Sequence, residues 1–97
     1  MQDDIIIGGE LCELVTLMNQ RGLHARAASK FVQVVMQYQV DVQVQKEETI
    51  VSGHSIMGLM MLAASRGTRL KICASGPDAP AAIMALSELV QRKFDEE

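Results

Sequence analysis

The chain has 97 residues, 48% of them hydrophobic and 22% charged, with a formal net charge of −3, two Phe, one Tyr and no Trp. That suffices for one domain around a modest core, and the acidic balance with so few aromatic rings argues against a nucleic-acid surface built from basic patches and base stacking. Cys12 and Cys73 lie far apart with no CxxC or Cys/His spacing, so they form no metal motif and read as two buried, small apolar residues kept reduced.

Residues 1–9 carry acids where a signal peptide carries bases, and their three isoleucines are too short a run for a secretory core or a membrane span. Ending in Gly8 and Gly9, they read as a loose N-terminal leader ahead of a domain over 10–97, in a cytoplasmic protein. From Glu10 to Met18, "ELCELVTLM" lacks Gly and Pro and alternates imperfectly, which predicts a first strand that is mostly buried. Beyond Gly22, Ala28, Phe31, Val32 and Val35 recur at helical spacing with Lys30, Gln33 and Gln37 opposite, so a helix starts close to His24. Val40, Val42 and Val44 then alternate with Asp41, Gln43 and Gln45, a strand with one wet face, as antiparallel sheets have. The polar "KEE" turns this strand into "TIVS", the second arm of a hairpin.

Ser55 is the predicted N-cap of a short, unusually apolar helix, "SIMGLMMLAAS", with Gly67 as its stop. Leu70, Ile72 and Ala74 alternate with Arg69, Lys71 and Cys73 in a fourth strand. Asp78 is the predicted cap of a last helix, with Pro80 in its first turn and Ala82, Ile83, Leu86, Leu89 and Val90 along one side. The order βαββαβα, without repeats or long linkers, predicts an α+β two-layer sandwich: a four-stranded antiparallel sheet with three helices on one face.

"NQRGLHARAAS" holds the one constellation that suggests chemistry. A histidine at a helix start lies beside unpaired backbone N–H groups and the positive end of the helix dipole, which welcome an anion and favour a neutral, nucleophilic ring. Arg26 adds a guanidinium suited to phosphoryl oxygens, and Gly22 lets the backbone turn sharply before the helix. Nearby there is no Ser-His-Asp order, no carboxylate pair, and no HxH or HExxH spacing for a metal, so hydrolysis and proton-transfer catalysis find little support. The plainer reading is a polar surface histidine near a helix end.

The run "GLHARAA", the later "SIMGLMMLAASRGT" and the element order together resemble the HPr family, histidine-containing phosphocarrier proteins of bacterial phosphotransferase systems, over residues 11–94. The resemblance implies an HPr-like open-faced sandwich whose His24 receives, on Nδ1, a phosphoryl group that Enzyme I draws from phosphoenolpyruvate. Arg26 would stabilise that group before it passes to Enzyme IIA proteins, in sugar transport or in a regulatory relay. Such a protein is a carrier modified in each cycle rather than a true enzyme. It is expected to work as a monomer without cofactor or metal.

Ser55 matches the family's regulatory serine, the target of an HPr serine kinase/phosphorylase. Ile56, Met57, Met60 and Met61 match its partner-docking patch, with Lys30 and Arg21 as a basic rim, whereas His54 reads as a surface or capping neighbour. Ala27 departs from the proline many members carry. "NQRG" and "FDEE" resemble the nitrogen-related branch and "SIMG" the serine-regulated one. Two rival readings stand beside this. A ferredoxin-like RNA binder is disfavoured because Phe31, Tyr38 and Phe94 fall on or beside helices. A regulatory module could instead bind an enzyme through the Met-rich helix 55–65 without carrying phosphate.

Overall fold

A computed structural model describes residues 10–96, so the expected leader over 1–9 lies outside the described residues. Strand β1 spans Leu11–Thr16, helix α1 Ala25–Val35, β2 Asp41–Lys46, β3 Thr49–Ser52, α2 Ile56–Met61, β4 Arg69–Ser75 and α3 Ala79–Gln91, before a short 3₁₀ turn over Lys93–Asp95. All strand pairs are antiparallel, in the order β1-β4-β2-β3. The strict alternation of β2 and β4 explains the layering: Val42, Val44, Leu70, Ile72 and Ala74 are buried beneath the helices, while Asp41, Gln43, Arg69 and Lys71 face the other way. Phe31, Val35, Leu86 and Leu89 close the core from the helical side, giving the α+β two-layer sandwich.

Several local expectations need correction. Strand β1 is mostly exposed, with only Val15 buried between Leu11 and Thr16, because it lies at the sheet edge and its partner β4 covers one side only. Helix α2 stops at Met61, well short of Gly67. Ala63 takes a left-handed conformation (φ 51°), and the Lys46 ammonium donates to the freed Leu62 carbonyl at 3.0 Å, so the helix ends without a glycine. Gly67 instead donates its N–H to the Leu17 carbonyl (2.7 Å) in the turn leading to β4. Asp78 does occupy the cap position of α3, but its carboxylate accepts from the Gln39 amide (2.7 Å) and ties the helix start to the loop before β2.

The largest correction concerns the cysteines. They are neither buried nor free: the β1/β4 register sets Cys12 directly opposite Cys73, and the two form a disulfide. Their separation in sequence concealed an adjacency that only the pairing of first and last strands creates.

The loop from β1 to α1 is sewn to the segment between α2 and β4. The Leu23 amide donates to the Ala64 carbonyl and the Leu17 amide to the Thr68 carbonyl, both at 2.9 Å. Gly22 is needed for this approach on two counts: its φ is +62°, and a Cβ would stand 2.3 Å from the Ala64 oxygen. A Gly22→Ala variant is therefore expected to lose about 2–4 kcal/mol, combining left-handed strain with backbone displacement. Urea unfolding should show a lower midpoint with an unchanged slope; a wild-type midpoint would contradict the crowding.

Candidate functional site

His24 is the N-cap of α1. Its backbone is extended (φ −76°, ψ 179°), and the ring folds over the helix start so that Nδ1 accepts the Arg26 amide at 3.3 Å. An imidazole is thus an unusual substitute for the usual Ser or Asp cap. On the other side of the ring, Nε2 meets the Glu96 carboxylate. These two contacts define the tautomer: a carboxylate can only accept, so Nε2 carries the proton, and Nδ1 presents its lone pair to the donor amide. The nitrogen with the lone pair is therefore the one at the helix terminus, where amides and dipole favour an incoming anion.

Glu96 reaches the ring through an uncommon piece of backbone. Lys93, Phe94 and Asp95 all have positive φ, at 57°, 55° and 60°. This left-handed turn swings the chain back over α1. Phe94 is completely buried at its centre, the Lys30 ammonium donates to the Phe94 carbonyl at 2.7 Å, and Arg92 pairs with Asp95 at 2.9 Å. Buried Asn19 completes the support, donating from Nδ2 both to the Gly22 carbonyl (2.8 Å) and to Glu96 Oε1 (3.1 Å), so both carboxylate oxygens are held. Burial by itself pushes the Glu96 carboxyl up. The hydrogen bonds from His24 and Asn19, with the charges of His24 and Arg26, outweigh it and hold the group below the ordinary carboxylate value.

An open cleft of about 300 Å³ lies in front of the ring, lined by Gln20, Arg21, His24, Arg26 and Glu96. Two arginines thus line the same small space as the imidazole, and their planar donor groups are of the kind that suits a dianion. Arg21 joins this wall. Lys30 does not, because its charge is committed to the Phe94 carbonyl. Gly22 does not line the cleft; its missing side chain makes room for Ala64. Asn19 and Glu96 were invisible as site residues, since neither belongs to a periodic pattern and Glu96 is 72 residues from His24.

The second motif separates from this cleft. Ser55 caps α2, its Oγ accepting the Gly58 amide at 2.9 Å. Of the helix residues only Leu59 is buried, while Met57 and Met61 are 72% and 77% exposed and Ile56 and Met60 about 40%. His54 stays structural: its Nε2 accepts the Val42 amide at 3.1 Å. Among the described residues the one grouping of side chains with metal-ligand spacing is Glu10, Cys12 and Cys73, on the sheet, and its two sulfurs are joined in the disulfide.

Residues 12–92 match the protein family described as "PTS HPr component phosphorylation site". The chain is 43% identical over 86 residues to phosphocarrier protein HPr of Neisseria meningitidis, covering 89% of this chain and 97% of that one. It is 47% identical over 83 residues to phosphocarrier protein HPr of Pseudomonas aeruginosa, covering 84% and 92%. Among solved structures, HPr of Thermoanaerobacter tengcongensis superposes with a TM-score of 0.86 at 39% identity, covering 90% of this chain and 98% of the other.

The lowered Glu96 carboxyl has a consequence for stability. A carboxyl held down by folding stabilises the native state above its ordinary value, about pH 4.3, and that contribution is lost as pH falls through the lower native value. Thermal melts of wild type and Glu96→Gln should therefore converge as the pH drops from about 5 to about 2.5. Parallel acid limbs would contradict the assignment.

Proposed function

The chain belongs to the HPr family of phosphocarrier proteins of the phosphotransferase system, and from that premise we propose that His24 is its phosphoacceptor, through Nδ1. The observation that supports this reading best is the orientation of the ring, with Nε2–H bound to Glu96 and the Nδ1 lone pair at the helix start. Phosphoryl transfer asks little of a protein beyond in-line placement and neutralised charge. The lone pair of Nδ1 attacks phosphorus on the phosphorylated Enzyme I donor as the donor's own bond to phosphorus breaks. Positive charge developing on the ring is matched by Glu96, and the three phosphoryl oxygens face Arg26 and Arg21. The long contact between the Arg26 amide and Nδ1 is easily exchanged, freeing that N–H for a phosphoryl oxygen. Transfer onward to an Enzyme IIA protein runs the same steps in reverse, and Glu96 keeps Nε2–H in place throughout.

The exposed methionines of α2 suit the docking of more than one partner, since thioethers adapt to different surfaces and only Leu59 of that helix is needed by the core. The relay is assigned to the cytoplasm, with the protein acting as a monomer in one-to-one encounters; among the described residues no helix is long and apolar enough to cross a membrane. Ser55 is the site for an HPr serine kinase/phosphorylase. A phosphate there replaces an N-cap that accepts one amide, a place where negative charge is tolerated by the helix but opposed by an acidic docking partner.

Incubation with Enzyme I and radiolabelled phosphoenolpyruvate tests the central assignment. Wild type should acquire an acid-labile label, and His24→Ala, folded as judged by circular dichroism, should acquire none; undiminished labelling of the variant would contradict it. Removing the carboxylate behind the ring, in Glu96→Gln, is expected to slow uptake about tenfold, at the low end of what is lost when the partner of a metal-ligating imidazole is removed. Ser55→Asp should slow transfer from Enzyme I by about tenfold, equivalent to ~1.4 kcal/mol, with an unchanged melting curve. Wild-type speed in a folded Ser55→Asp protein would remove the regulatory assignment.

A further inference from the structure

We propose that Cys12 and Cys73 form a reversible thiol-exchange site on the uncovered face of the sheet, whose reaction partners are small thiols, dithiols and their disulfides. The sheet itself, rather than the bond, holds the two sulfurs together. Cys12 and Cys73 are direct partners within a register running from Leu11↔Ala74 to Thr16↔Arg69, and β4 is paired along its other edge with β2. With the S–S bond open, that ladder still keeps the thiols face to face, so closure needs no search through chain conformations.

Access is the second element. The helices pack on the opposite face, Cys12 is exposed and Cys73 half-buried, so an external thiolate reaches the bond without unfolding the domain. Glu10 stands beside the pair: its carboxylate lies within 4.8 Å of both sulfurs, and a negative charge there favours the protonated thiols over thiolates once the bond is open. A disulfide of this kind has a purely structural role in an oxidising compartment. In the reducing cytoplasm, where the relay proposed above would operate, an exposed disulfide is in exchange with the thiol pool.

The step balances as follows. A thiolate of an external dithiol attacks Sγ of Cys12, the more exposed of the two residues. The Cys12–Cys73 bond breaks, Cys73 leaves as thiolate and takes up a proton, and a mixed disulfide forms at Cys12. The second thiol of the reductant loses its proton and attacks that mixed disulfide, releasing the Cys12 thiolate, which is protonated in turn. Two electrons and two protons pass to the protein and the dithiol becomes a disulfide. Closure is the reverse, with a small-molecule disulfide as the two-electron acceptor.

The site lies away from the phosphoacceptor. Cys12 is near the start of β1, on the face opposite the helices, whereas the His24 loop follows the far end of that strand at Thr16. The two functions are therefore separable in experiment, and the exchange test does not depend on phosphoryl transfer.

The test uses native protein without denaturant. After treatment with oxidised glutathione, alkylation and mass measurement should find no reactive thiol; after dithiothreitol, two alkyl groups; after removal of dithiothreitol and return of oxidised glutathione, none again, with the circular dichroism spectrum unchanged throughout. The His24→Ala protein should behave identically. Cys73→Ser, which lacks the resolving thiol, should stop at a stable glutathione adduct on Cys12. The proposal is overturned if dithiothreitol opens the bond only after denaturant is added. It is equally overturned if oxidised glutathione leaves both thiols free, or if the oxidised product is a cross-linked dimer on a non-reducing gel.

Discussion

An imidazole can be a nucleophile at one nitrogen only while the other keeps its proton, and here the Glu96 carboxylate decides which is which. The constraint is not cheap to impose. Three consecutive residues, Lys93, Phe94 and Asp95, adopt left-handed backbone conformations to bring Glu96 to the ring, at a cost of about 1–2 kcal/mol per residue. Burial of the Phe94 ring, the Lys30 ammonium on its carbonyl and the Arg92–Asp95 pair offset that strain. Strain of this sort persists where surrounding contacts over-determine it, and the turn lies where it brings Glu96 to the imidazole.

The rest of the fold brings the two ends of this arrangement together. His24 comes from the loop after β1 and Glu96 from the residues after α3, so the ring and its carboxylate meet only when the first strand, the first helix and the last helix are packed as one unit. Asn19 links the two ends directly, bonding both the loop at Gly22 and the carboxylate. Gly22 permits the loop to lie against Ala64, which in turn is positioned by the early end of α2. The helical side of the molecule therefore carries His24, the proposed phosphoacceptor, and the exposed methionines, and the bare side of the sheet carries the cysteine pair.

Much of this was legible in the residues. The alternation in β2 and β4, the helical spacing in α1 and α3 and the N-cap at Ser55 give the fold, because each is a local pattern with one physical solution. His24 and Arg26 were legible as candidates because a histidine at a helix start is chemically suggestive by itself, and the family motif strengthened it. What escaped was non-local. The disulfide depends on the register between strands far apart in sequence, the exposure of β1 on its place at the sheet edge, and the early end of α2 on a lysine reaching from β2. Glu96 escaped for a further reason: left-handed conformations at Lys93, Phe94 and Asp95 contradict local preference, and "KFD" contains no glycine to announce them.

The most direct test of the central claim is a long-range proton–nitrogen correlation spectrum of the His24 imidazole at neutral pH. The account predicts that the neutral ring carries its proton on Nε2 and leaves Nδ1 bare, and that this preference weakens in Glu96→Gln. A neutral ring protonated at Nδ1 in the wild-type protein would contradict it.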